Sequence, residues 1–311
     1  MVYYLSGMEW KLLNRRYLPW ARSDPPGEEW RGWNWDRPPI EPPYDVRLSL
    51  FEVASQYCPT GRDVYLRRVL NLKVKPNERM LRGKALHYVV ERSIVESKRA
   101  LYSGKASNGR ELQLYLDEVK GRAIQEVRDM LKGLPEEQQS SIVEMSSRLW
   151  DFESIQISSQ LDRISAERGF LGLDALVNTA IPFVVERTID GSFIGLSESI
   201  RVDALSQAMV VLDLKTGKRR PFQQLYVTGY ALALEAELEA PVDVGIIVFL
   251  DMESGRPHID REFYVLDQNL RREFLEERNR KMKIVFNEED PGVADSCPSD
   301  CPFLSYCRGS Q

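Results

Sequence analysis

The segment "RVDALSQAMVVLDLKTG", residues 201–217, carries the sharpest indication of the fold. Its β-branched and aliphatic residues predict two neighbouring strands, and Asp213 and Lys215, two positions apart, point to the same face of one of them. Asp203 from the other strand would complete a hard-oxygen site for Mg²⁺ or Mn²⁺. Such an ion can polarise a phosphodiester and generate a hydroxide, while Lys215 holds the water or neutralises developing charge. For an isolated D-x-K, a salt bridge at a strand end is the commoner explanation.

A second motif, "RGKALHYVVERS", lies upstream and is predicted to be helical. Gly83, His87 and Glu91 follow one another at intervals of four, so a helix places them on one face. The chain has one other histidine, His258, which we interpret as a core or boundary residue. His87 is therefore a candidate metal ligand.

A third motif follows the D-x-K strand, where "PFQQLYVTGYALALEAELEAP" predicts a helix opened by Pro221. Gln223, Tyr226 and Tyr230 stand at i, i+3 and i+7, a common face that could be directed at the same site. Ordinary amphipathic packing is the alternative.

The pattern along the chain predicts an α/β fold. Apolar residues recur at helical spacing from residue 48 to 168, and "ALVNTAIPFVVER", "FIGLSESIRVDALS" and "AMVVLDLKTG" then predict three strands. A helix, two strands and a last helix follow. The first 45 residues, rich in Trp and Pro, are expected to be irregular, with tryptophans covering apolar surface. The resulting division is 1–47, a Trp/Pro-rich segment; 48–168, a helical block; 169–290, a core; and 291–311, a cysteine-rich tail.

Composition narrows the class of protein. The 311 residues are 43% hydrophobic and 29% charged, and no apolar run of about 18 residues is present, so we expect a soluble globular protein and no membrane insertion. The start "MVYYLSGMEWKLLNRRYLPW" does not resemble a signal peptide, which suggests the cytoplasm. Net charge is −5, yet residues 62–84 hold eight basic and two acidic side chains, and Lys218, Arg219 and Arg220 form another basic cluster. These clusters are either nucleic-acid contacts or solvated surface.

Four cysteines form an unusual set. Cys297, Cys301 and Cys307 lie in "CPSDCPFLSYC", whereas Cys58 is far upstream. In a reducing compartment a tight cysteine cluster more often binds metal than forms disulfides. Structural zinc usually takes its ligands from two close pairs, whereas a division into one and three fits an iron-sulfur cluster that joins a distant segment to the tail. Zinc stays open on cysteine count alone.

Together these motifs resemble the RecB-like nucleases of the PD-(D/E)XK superfamily, and more narrowly the CRISPR-associated iron-sulfur exonucleases of spacer acquisition. The resemblance covers about residues 48–310. It implies a restriction-endonuclease-like core sheet flanked by helices, a helical insertion and a C-terminal cluster-binding loop. It also implies that the metal ligands are His87, Asp203, Asp213 and the carbonyl of Leu214, and that Lys215 is catalytic alongside Asp203 and Asp213. The implied ligands of a [4Fe-4S] cluster are Cys58, Cys297, Cys301 and Cys307. The implied DNA-positioning residues are Gln223, Gln224 and Tyr230. Many relatives have glutamine where this chain has Tyr226, which bears on the last group.

The function implied by this resemblance is a Mg²⁺- or Mn²⁺-dependent DNA exonuclease that prefers single strands. It would trim DNA ends for spacer acquisition, with the CRISPR spacer integrase complex as partner. Two alternatives remain at this stage. One is a RecB-like nuclease of repair or replication, whose helicase would be a separate chain because no G-x-x-x-x-G-K-[ST] motif is present. The other is a DNA-end-binding subunit with a silent metal site.

Overall fold

The computed structural model describes residues 1–169, 171–298 and 301–309, and a five-stranded β-sheet lies at its centre. The strands lie side by side in the order in which they occur along the chain. Neighbouring strands are antiparallel except for the third and fourth, which are parallel. The strands are β1 (Phe183–Ile189), β2 (Ile200–Ser206), β3 (Val211–Lys215), β4 (Val244–Asp251) and β5 (His258–Val265).

Helices precede, interrupt and follow the sheet, which confirms the predicted mixed α/β core flanked by helices. The α-helices of the described ranges are α1 (Gly7–Leu12), α2 (Leu18–Ser23), α3 (Leu50–Ala54), α4 (Arg62–Arg68), α5 (Glu78–Tyr102), α6 (Gly109–Met130), α7 (Glu136–Arg168), α8 (Leu173–Ala180), α9 (Gln224–Leu238), α10 (Gln268–Phe286) and α11 (Leu304–Arg308). None of them is long and apolar enough to cross a membrane.

The two faces of the sheet pack against different helices. Leu214 and Val248 belong to one hydrophobic core, which the long helices α5, α6 and α7 complete. Val211 and Phe249 belong to a second core, which includes residues of α9 and α10. Both faces of β3 and β4 are therefore covered, which explains why these strands are nearly continuous runs of aliphatic residues.

Helix α9 connects the two parallel strands. Parallel neighbours need a crossover connection, and the chain supplies it between Lys215 and Val244. A short 3-10 turn, Pro221–Gln223, opens this connection, as the proline predicts. Most of α9 is buried because it lies between the sheet and α10. The end of β3 and the start of α9 consequently stand close together, and the candidate site forms there.

Two sequence interpretations were wrong. "ALVNTAIPFVVER" was interpreted as a strand, but Leu173–Ala180 is helix α8 and β1 begins only at Phe183. The apolar residues of this segment fit the period of a helix as well as that of a strand. Packing against α7 favours the helix, which ends just before Pro182. The N-terminal segment is also more regular than expected: α1 and α2 are joined by a π-helical turn, Leu13–Tyr17, and a capping box between Ser6 and Glu9 starts α1.

A buried ion-pair network fixes the rest of the N-terminal segment to the core. Glu235 of α9 accepts hydrogen bonds from Arg271 of α10 at 2.6 and 2.9 Å and from Arg31 at 2.8 Å. The main-chain N–H groups of Gly32 and Val242 also donate to this carboxylate, at 2.9 and 3.0 Å. The buried carboxylate of Glu235 thus receives hydrogen bonds from two arginines and two main-chain N–H groups, which offset the cost of burying its charge.

Candidate functional site

A cavity of about 420 Å³ opens where β2 and β3 meet the start of α5 and the start of α9. Cys58 from the segment before α4 and Cys301 from the tail complete its wall. The structure therefore brings together parts of the chain that are widely separated in sequence. The predicted site residues that line the cavity are Cys58, His87, Asp203, Asp213, Leu214, Lys215, Gln223, Tyr230 and Cys301.

Asp213 and Lys215 project from one face of β3, as their spacing predicts. The Lys215 ammonium lies 2.8 Å from Asp213 Oδ2. Apart from this ion pair with Lys215, the buried Oδ2 atom of Asp213 has no hydrogen-bond partner among the described residues. Burial raises the pKa of Asp213 to about 6 against the opposing effect of Lys215, and the nearby charge of Asp203 contributes to the rise. An oxygen of this kind is a suitable cation ligand.

Asp203 is positioned by the neighbouring strand and by α5. Its Oδ2 accepts a 2.7 Å hydrogen bond from the main-chain N–H of Leu214 and lies 3.5 Å from His87 Nδ1. Burial alone would raise the pKa of Asp203, but His87, Lys215 and the Leu214 N–H hold it below the ordinary value. Burial alone would lower the pKa of His87, but the charge of Asp203 outweighs the effect of burial, and the pKa of His87 is raised. The imidazole and carboxylate thus form an electrostatic pair.

Helix α5 reaches this pair because of a glycine. A Cβ on Gly83 would stand 3.1 Å from Thr216 Oγ1, tighter than ordinary van der Waals contact. Gly83 and His87 line the cavity, whereas Glu91, one turn further, does not. Glu91 still lies near the site, since the charges of Asp203 and His87 act on its pKa, which burial raises. The predicted helix is therefore confirmed for all three residues, of which Gly83 and His87 reach the cavity.

Tyr226 gives Lys215 a second contact. The Lys215 Nζ lies 3.6 Å from the centre of the Tyr226 ring, which is a cation–π contact, while its other neighbour is Asp213. The aromatic ring of Tyr226 therefore holds the ammonium in place.

The three predicted DNA-positioning residues differ in their surroundings. Tyr230 is nearly buried in the cavity wall, and burial raises its pKa. The Gln223 side chain accepts from Arg220 N at 2.9 Å and donates to Lys218 O at 3.4 Å, so it stabilises the turn before α9. Gln224 is the first residue of α9 and does not line the cavity.

The segment around Cys58 and the tail are in contact. Arg62 makes a forked ion pair with Asp290, with the closest approach at 2.7 Å, and Thr60 Oγ1 donates to Gly292 O at 3.0 Å. Burial raises the pKa of the Cys301 thiol, and the charges of Cys297, Cys58 and Cys307 act in the same direction, so each of these three cysteines lies within electrostatic range of Cys301. Each is a free, partly exposed thiol. Ser299 and Asp300, inside the cysteine motif, lie outside the described residues.

The side chains suit two inorganic groups by their chemistry. Within residues 1–169, 171–298 and 301–309, no three His, Cys, Asp or Glu side chains already stand close enough together to enclose an ion. The donor types nevertheless match. The buried carboxylate of Asp213, which has an oxygen lacking a hydrogen bond, the partly buried carboxylate of Asp203 and the His87 imidazole fit Mg²⁺ or Mn²⁺. Four free thiols, none of them in a disulfide, have the chemistry of the ligands of an iron-sulfur cluster or of zinc.

Sequence reasoning did not identify the aromatic wall of the cavity. Phe51, Tyr57, Phe222 and Phe303 line it, together with the cation Arg67. The excess of basic residues between 62 and 84 was the available indication for Arg67. No periodic pattern marks the four rings, because they come from separate segments.

Comparison with known proteins identifies related chains. A family model described as "CRISPR-associated exonuclease Csa1" matches residues 1–310. A protein of Saccharolobus solfataricus with that name is 33% identical over 283 residues, 90% of this chain and 92% of the relative. A protein of Thermoproteus tenax with that name is 32% identical over 282 residues, 90% of this chain and 91% of the relative.

Proposed function

Because the chain belongs to the Csa1 family of CRISPR-associated exonucleases, we propose that it is a DNA exonuclease that requires a divalent cation. One observation carries the chemical part of this proposal. Two neighbouring strands place the carboxylates of Asp203 and Asp213 in one cavity wall, with the Lys215 ammonium 2.8 Å from Asp213. Buried carboxylates beside a lysine in a cleft are a typical arrangement for phosphodiester hydrolysis.

The cation would be held by His87, Asp203, Asp213 and the main-chain carbonyl of Leu214. When bound, it supplies Lewis-acid polarisation of the phosphodiester and a hydroxide nucleophile at neutral pH. The Leu214 N–H fixes the orientation of the Asp203 carboxylate through its 2.7 Å hydrogen bond. The main chain of β3 therefore orients the Asp203 carboxylate of β2 toward the place on β3 where the cation would bind.

Lys215 is the proposed catalytic lysine. Its ammonium is held on one side by Asp213 and on the other by the Tyr226 ring, so little reorganisation accompanies the reaction. A fixed positive charge at this position stabilises the negative charge that develops on the phosphate oxygens. Tyr226 contributes as a positioning residue, because it contacts the lysine.

The shape and lining of the cavity support a single-stranded substrate. A cavity of about 420 Å³ lies within the size range of pockets that bind small molecules, and a single nucleotide is a ligand of that class. Its aromatic wall offers faces on which unpaired bases can stack, and its cations, Arg67 and Lys218 among them, offset phosphate charge. These features favour a DNA end whose bases are unpaired.

We further propose that Cys58, Cys297, Cys301 and Cys307 hold a [4Fe-4S] cluster that joins the segment before α4 to the tail. The biological role we propose is trimming of DNA ends for spacer acquisition, with the CRISPR spacer integrase complex as partner. The family description supports the CRISPR setting, and the hydrogen bonds between residues 60–62 and 290–292 support the joining role.

The nuclease proposal is tested by degradation of end-labelled single-stranded and duplex DNA with Mg²⁺ or Mn²⁺. Lys215→Ala and Asp213→Ala should each reduce the rate by roughly 100-fold or more, because each removes charge from the reacting centre. Lys132→Ala, which changes an exposed lysine with an i,i+3 partner on the surface, is the matched control. Unchanged cleavage by Lys215→Ala would refute the assignment. Binding without cleavage by the wild-type protein would favour the DNA-end-binding subunit, and genomic neighbours bear on the repair alternative.

The cluster proposal is tested by iron, sulfide and zinc content after anaerobic purification. Cys58→Ser should lose iron as completely as Cys301→Ser, because a cubane cluster needs all four thiolates. Full iron content in the Cys58 variant, or zinc in place of iron in the wild-type protein, would contradict the proposal.

A further inference from the structure

A group of three side chains in the cavity wall lies apart from the proposed metal ligands and cluster cysteines. The Cζ of Arg67 stands 5.4 Å from the centre of the Phe51 ring and 5.1 Å from the centre of the Phe303 ring. All three residues line the cavity. Phe51 precedes Cys58 and Phe303 follows Cys301, so this aromatic–arginine group crosses the contact between the two cysteine segments.

Arg67 differs from its neighbours on α4. Arg62 is paired with Asp290, and Arg68 makes two hydrogen bonds to Glu52 at 2.6 and 2.8 Å. Arg67 makes no hydrogen bond or ion pair with any described residue, and its Nε is buried without a partner. A buried N–H left without an acceptor costs roughly 1–3 kcal/mol. Such a group in a cavity wall can donate to a ligand that provides an acceptor.

The aromatic contacts hold the guanidinium while leaving its N–H groups unused. Stacking on rings and forked donation to oxyanions are the two interactions in which arginine exceeds lysine. Phe303 is fully buried and provides a rigid support, whereas Phe51 is 41% exposed and offers ring surface to a ligand. Two other cations at or near the cavity also lie over aromatic rings. Lys215 lies over the Tyr226 ring, and Arg220 lies 5.7 Å from the centre of the Tyr57 ring.

We propose that Arg67 binds a phosphate of the DNA strand whose end enters the cavity, and that the exposed face of Phe51 stacks on a base of that strand. This inference rests on the proposed function and specifies how the substrate is held. Arg67 is then a binding residue. It acts before the chemical step, and its loss weakens binding of the strand and raises KM.

The test measures the affinity of the full-length, cluster-loaded protein for a fluorescein-labelled single-stranded oligonucleotide in EDTA, over a series of salt concentrations. Arg67→Gln keeps a planar group between the rings and removes the charge. We expect affinity to fall roughly tenfold. We also expect the slope of log affinity against log salt to decrease by about 0.7, the value for one lost phosphate contact on a single strand.

Two further variants separate charge from stacking. Arg67→Lys should keep the wild-type salt slope, because it keeps the charge. Phe51→Leu should weaken binding roughly tenfold with the slope unchanged, because only base stacking is lost. Arg110→Gln, a change at an exposed arginine of α6 outside the cavity, is the control and should match the wild-type protein. With Mn²⁺ present, Arg67→Gln should raise KM by the same factor as the loss of affinity.

The outcomes distinguish this inference from the proposed function. If the wild-type protein neither binds nor degrades DNA, both fail. If it does and Arg67→Gln binds with wild-type affinity and slope, only the role of Arg67 is overturned. An equal loss of slope in Arg67→Lys and Arg67→Gln, or loss confined to kcat, would also overturn it, because each indicates a structural effect in place of a phosphate contact. Thermal unfolding and iron content of each variant confirm that the fold is intact.

Discussion

Gly83 is the residue that allows α5 to approach the end of β3, and a methyl group there should disturb the site. A Cβ at this position would stand 3.1 Å from Thr216 Oγ1, next to Lys215. We expect Gly83→Ala to reduce kcat roughly tenfold, because displacements well below 1 Å at a reacting centre are costly. The unfolding free energy should change little, since the helix gains the better propensity of alanine.

Gly121 provides the matched control for this change. It also lies inside a long helix, α6, but a Cβ there would meet no atom within 4 Å. Gly121→Ala should therefore raise the unfolding free energy by about 1 kcal/mol and leave kcat unchanged. Equal activity of the two alanine variants would show that Gly83 does not set the position of α5 at the site.

The same residues show what sequence can and cannot predict at this scale. The common face of Asp213 and Lys215 follows from the two-residue period of a strand, and the chain needs no further information to place them. The contact between Lys215 and Tyr226, and the position of Arg67 over Phe51 and Phe303, join residues whose distance depends on tertiary packing. No local period of the sequence encodes such contacts, so the sequence pattern does not predict them.

At the level of elements, α10 acts as a scaffold for the segment that leads to Cys58. The Lys281 ammonium, fully buried, donates to Val53 O at 3.0 Å and Ser55 O at 2.7 Å, at the end of α3. A cation at a helix C-terminus satisfies carbonyls that have no partner inside the helix. From the adjacent position, Arg280 donates to Thr60 O at 2.8 Å. One helix thereby fixes both sides of Cys58.

Lys281→Met should destabilise the protein by roughly 2–4 kcal/mol, because it leaves two buried carbonyls without donors. Denaturant unfolding measures this difference. Lys283→Met, at an exposed position of the same helix, is the control and should lie within about 0.5 kcal/mol of the wild-type protein. If both variants lose the same free energy, the contacts of Lys281 with α3 are not the cause.

Element boundaries were predictable where their end signals were strong. Asn77 caps α5, and α10 occupies the predicted segment, because Asn and Asp side chains accept from the first turn of a helix. The prediction failed at α8, where an apolar run fits either period and only the neighbouring helices decide. It also failed at α1, whose capping box is readable in "SGME" but was obscured by the surrounding aromatic residues.

At the scale of the whole molecule, Glu235 connects the N-terminal segment, α9 and α10. Burial would raise its pKa, but the charge and hydrogen bonds of Arg271, with the Gly32 and Val242 N–H groups, hold it below the ordinary value of 4.5. A carboxylate with a lowered pKa stabilises the fold above its unfolded-state pKa. This contribution is lost as pH falls through the folded-state pKa.

Glu235→Gln should therefore cost about 3–5 kcal/mol of unfolding free energy near pH 7, because Arg31 and Arg271 remain buried without their counter-charge. The difference between wild-type and variant should shrink as pH falls below about 4.5. Denaturant unfolding at a series of pH values measures it. A difference independent of pH would show that the ionised form of Glu235 does not provide the stability.

The contact between residues 60–62 and 290–292 can form only late in the synthesis of the chain. After Cys58 the ribosome adds 243 residues up to and including Cys301, which takes roughly 10–50 s at common elongation rates. During that interval the carboxylates and lysine of the sheet exist in a nascent chain whose cavity lacks the wall supplied by Phe303 and the tail. The order of synthesis therefore delays completion of the cavity wall until after β2 and β3 have emerged, so the part of the wall that Phe303 supplies forms last.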